Sequence, residues 1–103
     1  MGYRVVFSPQ AEEQLARLYH YIANAATPQT ALLYTENIVE YCEALELFPH
    51  RGNPREDILP GLRVTNYRKR TAIAFMVEAE TVNVLGIYYG GQDYENSLLS
   101  EEE

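Results

Sequence analysis

Tyr3-Arg4-Val5-Val6-Phe7-Ser8-Pro9-Gln10-Ala11 lies two residues from the start of the chain and sets its architecture. The run from Tyr3 to Phe7 is β-branched and aromatic, which suits a short strand. Ser8 and Pro9 stop it. A serine hydroxyl caps a helix, and proline fits the first helical position, where its missing N–H costs nothing. Glu12 and Glu13 follow near the positive end of the helix dipole. Ala11, Leu15, Leu18, Ile22 and Ala25 or Ala26 recur at helical spacing, which predicts a helix from Pro9 to about Asn24. Thr27-Pro28 repeats the start signal. In the second helix Ala31, Tyr34, Ile38, Tyr41, Leu45 and Phe48 share one face, and Glu36, Glu40, Glu43 and Glu46 lie largely on the other. So short a connection predicts an antiparallel helical hairpin.

The second half changes period. Pro49, Gly52, Pro54, Pro60 and Gly61 mark residues 49–61 as a loop. Strands are expected over Leu62 to Tyr67, Arg70 to Val77 and Val82 to Tyr89, with Glu78-Ala79-Glu80-Thr81 as a turn and Gly90-Gly91 as a stop. The order of strand, helical hairpin and three-stranded antiparallel meander defines an α+β domain. Residues 1–96 form this one domain, and residues 97–103 are expected to be a mobile acidic tail.

The net charge is −7, which argues against a whole-surface nucleic-acid binder and against direct sequence-specific DNA binding. The distribution is uneven. Residues 1–50 carry a net −4, residues 51–70 a net +4, and residues 71–103 a net −7 with no Lys or Arg. Arg51, Arg55, Arg63, Arg68, Lys69 and Arg70 thus concentrate six of the eight cations in one fifth of the chain, which marks a contact surface around Tyr67. No apolar run approaches the roughly 18 residues that span a bilayer, and no basic-then-apolar start suggests export, so a cytoplasmic protein without membrane contact is expected. One cysteine, Cys42, leaves no internal disulfide, and its place beside the apolar stripe suits a buried small hydrophobe.

Several chemistries lack their residues. His20 and His50 are far apart in sequence and with one cysteine make no recognised zinc spacing, so neither a metal nor a cofactor is expected. There is no glycine-rich phosphate loop and no Gly-x-Ser-x-Gly. The carboxylates Glu36, Glu40 and Glu43 belong to a solvated helix face.

Four stretches together resemble the ParE/RelE superfamily of plasmid and chromosomal toxins of type II toxin–antitoxin systems, and ParE-like members above all. They are Tyr3 to Ala11, Leu18 to Asn24, the helix exit Leu47-Phe48-Pro49-His50-Arg51-Gly52, and Pro60-Gly61-Leu62-Arg63 leading through Tyr67-Arg68 to Leu85-Gly86-Ile87-Tyr88-Tyr89. The resemblance implies a toxin neutralised by a cognate ParD-like antitoxin, with roles in plasmid stabilisation and growth inhibition. It implies one of two actions: inhibition of DNA gyrase by binding, or metal-independent cleavage of messenger RNA on the ribosome. RNA cleavage needs cations around a phosphorane-like charge and a group that moves protons, for which Arg63, Arg68, Arg70 and Tyr88 are the candidates. The last strand continues Tyr88-Tyr89-Gly90-Gly91-Gln92-Asp93 without Arg or Lys, so gyrase inhibition without catalysis is the preferred reading. RNA cleavage and a non-toxic antitoxin-binding relative are the alternatives. Target-binding anchors are then Arg63, Tyr67, Arg68, Lys69, Arg70, Tyr88 and Tyr89, since Arg and Tyr are common interface hot spots. The apolar surplus Leu32, Leu33, Val39 and Leu47, with Arg63 and Arg68, is the expected antitoxin surface.

Overall fold

A computed structural model describes residues 3–90. The expected mobile tail, residues 97–103, and the Gly91-Gln92 ending lie outside the described residues. In chain order the elements are β1 (Arg4–Phe7), α1 (Pro9–Ala25), α2 (Pro28–Glu43), a 3₁₀ turn (Ala44–Glu46), β2 (Asn53–Pro54), β3 (Leu62–Tyr67), β4 (Thr71–Glu78) and β5 (Thr81–Tyr89). The sheet order is β1-β5-β4-β3-β2, with β1 parallel to β5 and every other pair antiparallel. The chain is the α+β domain expected, with the meander formed by β3, β4 and β5.

Both helix starts follow the expected chemistry. Ser8 Oγ accepts from the Ala11 N–H at 3.0 Å, and Thr27 Oγ1 accepts from the Thr30 N–H at 3.0 Å. Ser8 does more than cap: its hydroxyl donates to the Leu85 carbonyl at 3.0 Å and its N–H to the Val84 carbonyl at 2.9 Å, tying the entry of α1 to β5. Leu85 is the extra residue of a bulge, because Ala74 faces Gly86 while Phe75 faces Val84. The bulge leaves the Leu85 carbonyl outside the ladder, and Ser8 satisfies it.

Two features differ from the sequence expectation. Residues 49–61 are not all loop, since Asn53 and Pro54 pair with Val64 and Arg63 as an edge strand, the place where a sheet accepts proline. Phe48 is 56% exposed rather than on the buried face. The α-helix ends at Glu43 and continues as a 3₁₀ turn, whose tighter winding rotates the following side chains off the α-helical stripe.

Two cores sandwich the sheet. One packs Ala11, Leu18, Ile22, Ala31, Ile38, Cys42 and Leu45 of the helical side against Ile73, Phe75, Val82, Val84 and Ile87. The other lies on the opposite face, where Ile58 covers Leu62, Val64, Ala74 and Tyr88. Cys42 is fully buried, and burial, with a smaller push from the Glu43 charge, raises its thiol pKa to about 12. The neutral thiol is therefore favoured by the fold, so its contribution to stability is intact below the unfolded value of 9.0 and is lost as pH rises from there towards 12. Two outcomes are expected: Cys42 resists iodoacetamide until the chain is unfolded, and Tm falls as pH is raised above 9.0. Thiol titration in and out of urea, with a melting series, checks both.

Candidate functional site

The cationic stretch read from sequence divides into residues with different work. Arg63 is half-buried, and its guanidinium donates to the carbonyls of His50, Arg51 and Gly52, clasping the loop onto β3. Its Nε and one terminal nitrogen are thus engaged with the chain's own loop. Arg55 forms an ion pair with Asp57, holding that carboxyl below its ordinary pKa through the Arg55 hydrogen bond. Arg68, Lys69 and Arg70 are exposed and occupy the turn joining β3 to β4. The Arg70 N–H closes this turn onto the Tyr67 carbonyl at 3.2 Å.

The turn is strained. Arg68 and Lys69 have φ of 55° and 61°, the left-handed pair that a type I′ hairpin demands and that Asn-Gly supplies most easily. Non-glycine residues held there cost on the order of 1 kcal/mol or more each. Replacing Arg68 by Asn together with Lys69 by Gly is expected to stabilise the fold by about 1–2 kcal/mol, raising Tm by about 5–10 °C. Calorimetry of the double variant measures it. The native turn gives up that stability and keeps two cations at the tip.

Above the turn runs a line of tyrosines that sequence reading missed. Tyr21 of α1 meets Tyr89 of β5 (ring centroids 5.9 Å), Tyr89 meets Tyr34 of α2 (5.9 Å), Tyr34 meets Tyr67 of β3 (5.6 Å), and Tyr67 meets Tyr41 of α2 (5.4 Å). Most meet edge to face, the favoured aromatic geometry. Arg51 ends the line, 4.9 Å over Tyr41 and 5.5 Å over Phe48, and Arg68 lies 5.4 Å over Tyr67. The phenols also fix α2 on the sheet. Tyr34 Oη bonds Thr71 Oγ1 at 2.9 Å, and Tyr41 Oη bonds Thr65 Oγ1 at 3.0 Å, which satisfies the hydroxyls of two buried threonines. The available signal was Tyr34 and Tyr41, two turns apart on one helix face.

At the Tyr21 end the seam opens into a cleft of about 540 Å³ between α1, the β3–β4 turn and the end of β5. Gln14, Arg17, Leu18, Tyr21, Arg70 and Tyr89 supply its side chains, beside Ile87 and Gly90. Gln14 Oε1 accepts from the Ile87 N–H at 2.7 Å, which anchors the cleft wall. Two cations, two phenols and an amide suit an anion, and among the described residues that line the cleft none is an imidazole or a carboxylate. Among the described residues no cluster of three His, Cys, Asp or Glu forms a metal-binding group, and no helix is long and apolar enough to cross a membrane.

The other expected site residues are scattered. Tyr88, expected beside Tyr89 as a surface anchor or a nuclease group, is only 3% exposed and belongs to the core on the far face of the sheet. That burial corrects its placement on the site. Leu32, Leu33 and Leu47 are exposed, and Val39 is half-buried on α2. Phe48 adds to the apolar surface after the helices, beside Leu47.

A helical hairpin laid over a mostly antiparallel sheet is a fold that solved toxin–antitoxin structures also have. A solved structure described as a chromosomal ParDE toxin–antitoxin system from P. aeruginosa shares it with a TM-score of 0.75 and 21% identity, over 85% of this chain and 96% of that one. The RelBE2 toxin–antitoxin complex from Mycobacterium tuberculosis shares it with a TM-score of 0.62 and 20% identity, over 86% of this chain and 99% of that one. No curated protein matches the chain by sequence. The family model described as ParE toxin of type II toxin–antitoxin system, parDE, matches residues 5–94, and the chain belongs to that family.

Proposed function

We propose that this toxin stops growth by binding DNA gyrase and that a cognate ParD-like antitoxin holds it silent. The observation that carries the target reading is the Arg68-Lys69-Arg70 turn, three exposed cations on a strained tip beside an aromatic seam. Such a tip suits recognition of an acidic face on a large protein, because exposed Arg and Tyr supply charge-assisted bonds and rigid contact area.

The antitoxin reading is supported by apolar side chains that stand exposed among the described residues. Leu33 is 62% exposed on α2 and Leu47 is 70% exposed beyond it, with Leu32 and Phe48 beside them. A partner helix laid across α2 would bury them. The RelBE2 neighbour, described as a toxin–antitoxin complex, supports a partner of this kind.

The deciding test is pulse-labelling after induction of this chain alone in a bacterium, following DNA and protein synthesis separately. DNA synthesis is expected to fall first, and purified chain is expected to inhibit gyrase supercoiling. Earlier loss of protein synthesis would replace this reading with ribosome-dependent RNA cleavage, and loss of neither would leave an antitoxin-binding module.

A further inference from the structure

The cleft at the Tyr21 end of the seam is separate from the exposed leucines of α2 and from the tip cations Arg68 and Lys69. Arg70 lines it, and among the described residues its guanidinium has neither an ion pair nor a hydrogen bond. Arg17 also lines it, and its acid partner among the described residues is Glu13, an exposed pair of the kind that water screens. Gln14 spends its oxygen on the Ile87 N–H, which leaves its amide nitrogen to donate. Leu18 and the rings of Tyr21 and Tyr89 form the remaining wall, with Tyr21 60% exposed.

We infer that this cleft is a carboxylate-reading pocket for an extended, acidic segment of a protein partner, with an apolar or aromatic residue of that segment laid against Tyr21. The inference deepens the proposed partnership and rests on the chain being held by a protein. An arginine fork pairs with a carboxylate through two parallel bonds, and Arg70 is the group in the cleft free to do so. The adjoining tyrosines give contact area at low entropic cost, since each orders only two torsions. The charge map selects the ligand class. A nucleic acid would bring a phosphate at every step into the field of a chain carrying a net −7. A peptide brings one or two carboxylates to a cleft in which Arg70 has no ion-pair partner among the described residues.

The test is a titration of the ¹⁵N-labelled full chain with a capped peptide of alternating glutamate and leucine, with its glutamine counterpart, and with a single-stranded RNA oligonucleotide. The glutamate peptide is expected to shift the Gly90 amide, the Gln14 side-chain amide and the Arg70 Nε resonance together. The glutamine peptide is expected to bind at least about tenfold more weakly, the loss of one charge-assisted contact. Arg70→Glu is expected to abolish the shifts, and Tyr21→Ala to weaken them about tenfold while the melting temperature holds, because both side chains are exposed. The series is repeated with Glu101, Glu102 and Glu103 replaced by Gln, so that the chain's own acids do not compete. Absence of shifts in that variant as well, shifts confined to Arg68 and Lys69, or tighter binding of the RNA in the same cleft each overturn the inference. The pulse-label result does not enter, so loss of the gyrase reading leaves the peptide result standing, and the reverse holds too.

Discussion

Gly52→Ala is expected to cost about 3 kcal/mol of stability and to lower Tm by more than about 12 °C. Two terms add. Gly52 sits at φ 79°, where a side chain costs roughly 1–2 kcal/mol. Its added Cβ would also overlap the Val64 carbonyl oxygen and lie 2.9 Å from Thr65 Cβ, and β3 backbone cannot swing away as a side-chain tip can. Overpacking of this kind costs about 1–3 kcal/mol. Gly61→Ala is the control that separates the terms. Gly61 has φ 82°, but its Cβ would meet only the Met76 methyl at 3.4 Å, so the expected loss is about 1–2 kcal/mol. Equal melting temperatures for the two variants would show that the close approach to β3 contributes nothing. The consequence reaches the site, since the Gly52 carbonyl is one of three that Arg63 clasps, and the same loop carries Arg51 over Tyr41.

Arg68→Glu combined with Arg70→Glu is expected to abolish growth arrest while the chain stays folded. The change reverses the sign of two of the three cations at the turn and removes the one free cation that lines the cleft among the described residues. In a supercoiling assay the concentration for half inhibition is expected to rise at least about 100-fold, which corresponds to about 2.8 kcal/mol and to the loss of one or two hot-spot contacts. Stability is expected to move by no more than about 0.5 kcal/mol, because both side chains are exposed and, among the described residues, engage no carboxylate. Melting curves and induction assays on the same preparation measure both quantities. Full growth arrest by the double variant would remove the turn from the mechanism.

Much of the fold was legible because its signals are local. Ser8-Pro9 and Thr27-Pro28 announce helices through bonds that span three residues, and the structure begins α1 and α2 at Pro9 and Pro28. The β3 limits Leu62 and Tyr67 follow from a β-rich run that starts after Pro60-Gly61. The helix exit was recognised as a signature, but its reason is tertiary: Gly52 lies against β3, twelve residues further along the chain at Val64. The candidate site was legible only in part. Charge clustering pointed to residues 63–70, yet it did not separate Arg63, which clasps a loop, from Arg70, which faces a cleft. Arg17, Gln14 and Tyr21 went unread because nothing within α1 distinguishes them from other surface residues.

Tyr88 and Tyr89 show where the division falls. Alternation along β5 from Val82 and Val84 would carry Tyr88 to the helical face and Tyr89 away from it. The extra residue at Leu85 reverses that parity, so Tyr89 enters the tyrosine seam and Tyr88 is buried on the opposite side. By itself the sequence determined the element types, their order and the place of the positive charge, because these depend on bonds and periodicities among near neighbours. The tertiary structure alone decided which tyrosine meets the cleft and which arginine is free, because both depend on a bulge and on pairings between residues distant in the chain.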